Sequence, residues 1–177
     1  MTREQVPRPC SDGAMTRLLV VHHSPTRSMH RLTEAALAGA GHPDIEGVEV
    51  VVRPALEATA DDVLAADGYL LLTPANFGYM SGALKHFFDS TFLQVGGSLS
   101  DTGAADQSSG TTSGRPFGLY VHGRYDTTGA IRSVLSITGA LGWKQAAGVL
   151  EVLGDLDESH DESAYELGGT LSALLAS

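Results

Sequence analysis

The chain has 177 residues, 42% of them hydrophobic and 18% charged, the composition of a single globular domain able to bury a core rather than of a disordered segment. Eleven Lys and Arg against 21 Asp and Glu give a net charge of −10, which repels the phosphates of nucleic acid and the anionic face of a membrane, so neither is an expected partner. A single cysteine, Cys10, excludes an intrachain disulfide and a thiolate metal cluster, and no apolar run reaches the roughly 20 residues that a bilayer span requires.

Residues 1–15 have no apolar stretch of the kind a signal peptide carries and are expected as a disordered N-terminal extension ahead of one domain over 16–177. Met15-Thr16-Arg17 repeats the opening Met1-Thr2-Arg3, so Met15 is a candidate second start; a cytoplasmic location is the default expectation. The apolar run 18–21 opens a buried strand over 18–22. A hydroxyl-rich turn holding Ser24, Thr26 and Ser28 follows it and leads into a helix over 26–40. The β-branched run 48–52 suits a second strand. A short helix over 61–66 has Thr59 as its expected N-cap. The third strand, 69–72, lacks polar alternation, as a central parallel strand covered on both faces does. Leu84, Phe87, Phe88 and Thr91 fall at helical spacing in a helix over 81–93, where Lys85 and Asp89 are placed to pair at i, i+4. Residues 94–114 are rich in Gly and Ser and nearly devoid of apolar side chains; such a segment is a loose excursion, a lid over a ligand, or an arm reaching a second subunit. A strand over 116–121, a helix over 128–141, a strand over 146–153 and a helix over 159–176 complete the chain. The acidic stretch 155–162 reads as a helix entry, since it lacks the glycine of a calcium loop.

Strands alternating with helices imply βαβ units, right-handed crossovers and a parallel sheet inside a three-layer α/β/α sandwich. Five strands fit the doubly wound order 2-1-3-4-5, whose ligand site lies beyond the carboxyl ends of the strands where the order reverses. The loops after strands 1, 3 and 4, at 24–29, 74–82 and 123–127, are therefore the expected site. In the first of these, hydroxyls and the free N–H groups of a helix N-terminus suit a phosphate, although the same Ser and Thr also serve an ordinary capped turn. In the second, Phe77 and Tyr79 can flank a flat ring while Gly78 lets the backbone come close; they are equally readable as core or interface aromatics. His22 and His23 face opposite sides of a strand, which reads as a sheet-end pair and gives no metal site. The chain has no HExxH, no GxSxG elbow and no GxxxxGKS/T, so no zincin, α/β-hydrolase or P-loop chemistry is signalled.

The stretch TPANFGYMSGALKHFFD, from Thr73 to Asp89, resembles the segment that flavodoxin-like NAD(P)H-dependent FMN reductases and quinone reductases carry after their third strand; the turn HHSPTRSM resembles their phosphate loop. The resemblance runs from residue 17 to the C-terminus and implies a flavodoxin-like fold with FMN as cofactor and NAD(P)H as co-substrate. It implies that Ser24, Thr26, Arg27, Ser28 and Met29 wrap the FMN phosphate, and that Pro74, Ala75, Asn76, Phe77 and Gly78 line the isoalloxazine ring with backbone N–H groups toward N5 and O4. His122, Gly123, Arg124, Tyr125 and Asp126 would approach the pyrimidine edge and ribityl chain. Arg27 and Ser28 stand where members often have glycines and Met29 where they have Thr; one hydroxyl donor is lost and one cation gained. The implied activity passes hydride from nicotinamide to flavin and then to a quinone-like acceptor, with no side chain assigned as a catalytic acid or base. A homodimer or homotetramer is implied with it. A flavodoxin-type electron carrier, or a module of this fold that has lost its flavin, are the alternatives.

Overall fold

Leu18, Leu19, Val20 and Val21 are all buried, and so are Tyr69, Leu70, Leu71 and Leu72, because successive side chains of a strand point to opposite faces and both faces of this sheet are covered. A computed structural model describes residues 15–100, 102, 105–106 and 110–177; the extension read at 1–15 lies, apart from Met15, outside the described residues. The first half of the chain forms β1 (Thr16–His22), α1 (Arg27–Ala40), β2 (Val48–Pro54), α2 (Ala60–Ala65), β3 (Gly68–Asn76), β4 (Tyr79–Met80) and α3 (Gly82–Thr91). The second half forms β5 (Ser98–Leu99), β6 (Ala105–Asp106), β7 (Pro116–Gly123), α4 (Thr128–Ala140), β8 (Lys144–Gln145), β9 (Leu150–Leu153) and α5 (Glu158–Ala176).

The main sheet runs β2-β1-β3-β7 in parallel, with β8 and β9 both on the far side of β7, which is the expected order 2-1-3-4-5. The fifth strand differs from the expectation of one element over 146–153. It is split: β8 pairs with Pro116 and Phe117, β9 pairs with Tyr120 to Gly123, and residues 146–149 lie between them. Ala146-Ala147-Gly148 supplies little of the β-branched packing that holds an edge strand, so the chain leaves the sheet there.

Helices α1 and α5 cover one face, packing Met29, Leu32, Ala164 and Leu171 on Leu18, Val20, Leu70 and Tyr120. Helices α2, α3 and α4 cover the other, packing Val63, Leu84, Phe87 and Val134 on Leu19, Val21, Leu71 and Leu119. Caps fix the helix starts. Thr59 and Asp62 form a capping box on α2, Ser81 Oγ accepts from Leu84 N at 3.2 Å on α3, and Asp157 accepts from Ser159 N and His160 N on α5; each such cap is worth about 1 kcal/mol. The segment 94–114 is pinned at both ends: Val95 is buried, Thr112 Oγ1 donates to Val95 O at 3.0 Å, and Trp143 Nε1 donates to Thr112 Oγ1 at 2.9 Å. Between these anchors β5 and β6 pair antiparallel. Among the described residues no helix is long and apolar enough to cross a membrane.

Candidate functional site

Three connections emerge side by side at the carboxyl ends of β1, β3 and β7, because those strands are neighbours in register: His22 pairs with Leu72, and Ala75 with Gly123. The chain reverses on either side of β1, so this edge is the switch point where a doubly wound sheet opens a crevice.

The connection after β1 is the N-terminus of α1. Thr26 is the N-cap, its Oγ1 accepting from Met29 N at 3.2 Å. The first-turn N–H groups of Arg27 and Ser28 have no acceptor within the helix. Ser24, Pro25, Thr26, Arg27, His30, Arg31 and Glu34 line a cavity of about 360 Å3, in which the Glu34 carboxylate lies 3.4 Å from His30 Nδ1. Arg31 is neutralised by Asp161, to which its Nε donates at 2.9 Å. Arg27 is not: among the described residues only Arg27, Arg132 and Lys144, of all Lys and Arg, make neither an ion pair nor a side-chain hydrogen bond within the chain. Burial holds the His22 imidazole below its ordinary range, with His23 and His30 adding to the effect and Glu57 opposing it; burial does the same to His23. Positive potential at the turn thus comes from Arg27 and the helix dipole. Two hydroxyls, two free amides and one unpaired cation make a donor set that fits a phosphate.

The connection after β3, expected from the sequence as a Gly-containing loop over 74–82, includes a β-hairpin. β3 runs on to Asn76 and turns back as β4, with Ala75 opposite Met80 and Asn76 opposite Tyr79. The turn is Phe77-Gly78, with φ of 51° and 77°. Two successive positive φ angles in a two-residue hairpin define a type I′ turn. Phe77 pays for that conformation with roughly 1–2 kcal/mol, and among the described residues its ring is fully exposed. The hairpin is strapped to α4: Ala130 N donates to Gly78 O at 2.9 Å, and a Cβ on Gly129 would sit 2.6 Å from that same oxygen. A rigid ledge therefore carries an apolar ring out toward solvent. Pro74 is buried and Ala75 half-buried beneath it, while Asn76 and Tyr79 are exposed.

The connection after β7 is tied in two directions. His122 Nε2 meets Gly154 O at 2.9 Å, Gly154 N donates to Gly123 O at 2.8 Å, and Arg124 pairs with Asp155. His122 and Arg124 are thereby engaged with the loop after β9. Asp126 accepts from Thr128 N at 2.9 Å, and hydrogen bonds from that residue hold its carboxyl below the usual range, so it is ionised beside Gly78, where a Cβ would lie 2.7 Å from Asp126 Oδ2. Tyr125 projects fully into solvent.

The strand register thus sets the turn after β1, the hairpin Ala75–Gly78 after β3 and Tyr125 and Asp126 after β7 along one edge of the sheet, with Ser24, Thr26 and Arg27 lining the cavity at the first. Met29 contributes its side chain to the core, and its N–H is held by Thr26. Thr33 was not singled out from the sequence, yet its Oγ1 lies 2.7 Å from Ser24 Oγ; a hydroxyl on the apolar face of α1 was the available signal. A groove of about 720 Å3 between α3 and α4, which reaches the hairpin at Tyr79, and a cavity of about 550 Å3 beside β2 are larger than the cavity after β1.

Known proteins share this fold. The chain is 35% identical over 85 residues to a flavodoxin of Aquifex aeolicus, covering 48% of this chain and 45% of the relative. It is 31% identical over 97 residues to an NAD(P)H dehydrogenase (quinone) of Acidithiobacillus ferrooxidans, covering 44% and 48%. The chain thus spans about half the length of the curated relatives it matches. In fold it superposes on a flavodoxin from the domain Archaea with a TM-score of 0.69 at 14% identity, over 90% of this chain and 99% of the other. It also superposes on a flavodoxin, WrbA-like protein from Agrobacterium tumefaciens with a TM-score of 0.67 at 16% identity, over 90% and 97%. The family model of the NADPH-dependent FMN reductases matches residues 19–148, a span that contains all three connections, and the chain belongs to that family.

Proposed function

We propose that the chain is an FMN-dependent NAD(P)H oxidoreductase that reduces a quinone-like acceptor. The observation that carries this reading is the pairing, on adjacent strands, of a phosphate-ready helix N-terminus after β1 with a strapped aromatic hairpin after β3. Bound FMN supplies the hydride-accepting ring; the protein supplies position and electrostatics. Ser24, Thr26, Arg27 and Ser28 hold the phosphate. Ala75, Asn76, Phe77 and Gly78 offer the ring an edge of backbone N–H groups that the hairpin and α4 keep from shifting. Tyr125 and the Asp126 carboxylate border the opposite edge. The chain's work at the ring is orientation, and no side chain there is assigned as a catalytic acid or base. Homo-oligomeric assembly fits the open faces of Phe77 and Tyr125, which a second copy would cover, and a cytoplasmic location fits reduced nicotinamide as the donor.

The test is the absorption spectrum of the freshly purified protein, followed by NADPH oxidation with a quinone present. The expected result is a yellow protein, or one that quenches added FMN, turning over both substrates. FMN binding without NAD(P)H oxidation would make the chain an electron carrier instead, and failure to quench FMN at all would remove the redox reading.

A further inference from the structure

We propose that His22 and Thr33 are positioning residues for the phosphate end of this site, turning the hydroxyl proton of Ser24 outward to the anion. The inference rests on the reading of that turn as the FMN phosphate site. Ser24 Oγ lies 2.7 Å from Thr33 Oγ1 and 3.0 Å from His22 Nδ1. A serine hydroxyl has one proton and two lone pairs, so two neighbours and one anion can all be served in a single way only.

Thr33 settles the first direction. It is buried on the core face of α1 beside Met29 and Leu32, and among the described residues its hydroxyl has no hydrogen-bond neighbour other than Ser24. A buried O–H left without an acceptor is costly, so Thr33 donates to Ser24 Oγ. His22 decides the second. With Nδ1 bare, Ser24 donates to it and its proton stays inside the chain. With Nδ1 protonated, Ser24 accepts from both neighbours and its own O–H is left for the cavity that it lines with Thr26 and Arg27. A phosphate carries acceptors and binds the second arrangement, so it draws the His22 proton onto Nδ1. Burial and the nearby His23 and His30 favour the neutral ring, opposed by Glu57; the anion requires only that Nδ1 carry a proton, in the neutral ring or in the imidazolium.

The direct measurement is the ring 15N spectrum of His22 in the full chain, alone and with saturating FMN or riboflavin. FMN is expected to shift His22 to the form protonated at Nδ1, and riboflavin, which has no phosphate, to leave it unchanged. FMN-bound protein with a bare Nδ1 would overturn the proposal. Flavin fluorescence titration adds a second readout. His22→Leu is expected to lower FMN affinity about three- to tenfold, the range for one hydrogen bond, with riboflavin affinity unmoved. His22→Asn, which keeps an N–H donor at the place of Nδ1, is expected to restore it. Equal loss of both flavins in His22→Leu would mean a merely structural role and overturn the proposal. Equal affinity of the unmodified protein for FMN and riboflavin would instead remove the phosphate reading, and this proposal with it.

Discussion

Phe77 is held in a left-handed backbone conformation at φ 51° and its ring buries nothing. An aromatic residue is a poor choice for the first central position of a type I′ turn, where Asn before Gly is the favoured pair. Such strain at a crevice marks a position kept for what it touches rather than for the fold. Phe77→Asn leaves Gly78 in place, removes no core contact and relieves the backbone. It should therefore raise stability by about 0.5–1 kcal/mol, or roughly 1–4 °C in Tm for a domain of this size. The same substitution should weaken binding of the flavin or the acceptor several-fold, since the exposed ring is lost. Thermal melts with and without FMN read both effects; a variant that is less stable, or that binds as well as the parent, would show that Phe77 supports the hairpin by contacts and not the ligand.

At the scale of elements, the orientation of the phosphate turn depends on how α1 lies against α5. These helices touch through backbone: a Cβ on Gly168 would lie 1.9 Å from Ala36 O, and one on Gly39 would lie 1.9 Å from Tyr165 O. Gly168→Ala should force the helices apart and cost about 1–3 kcal/mol, while loosening FMN more than riboflavin because the α1 N-terminus moves with its helix. Gly169→Ala, whose Cβ would meet only Gly39 O at 3.4 Å, should be neutral or stabilising through helix propensity. Urea unfolding of the two variants checks the contrast, and equal stabilities would mean that the helix pair yields freely. These two glycines lie inside a helical pattern and carry no local sign of the contact they permit. The alternation of strands and helices was legible because buried parallel strands are apolar runs and Thr59 announces the start of α2. The hairpin was not, because Pro74, Asn76 and Gly78 argue against a strand and only the tertiary strap to α4 makes one. Nor was the break between β8 and β9, which an apolar run over 146–153 conceals. The hydroxyls of the turn after β1 were readable by type, but the link from His22 through Ser24 to Thr33 depends on side-chain directions that no spacing encodes.

At the scale of the whole molecule, a chain of net charge −10 is proposed to take up two anions, FMN and NADPH. Global repulsion and local attraction compete, and ionic strength separates them by range. At about 10 mM salt the screening length is roughly 30 Å, so an approaching phosphate feels most of the acidic surface; at about 150 mM it is roughly 8 Å, and Arg27 with the first turn of α1 dominates. Raising salt between these values should therefore tighten FMN binding and lower the KM for NADPH, the reverse of what a basic anion site shows. Arg27→Gln should weaken FMN at both salts, since it deletes the one unpaired cation in the phosphate cavity, and should leave the upward trend with salt intact because that trend belongs to the remaining surface. Titrations of both proteins at the two ionic strengths decide it. Affinity that falls with salt in the parent chain would mean that the local cation outweighs the acidic surface even at long range, and that the −10 charge has no part in how the cofactor arrives.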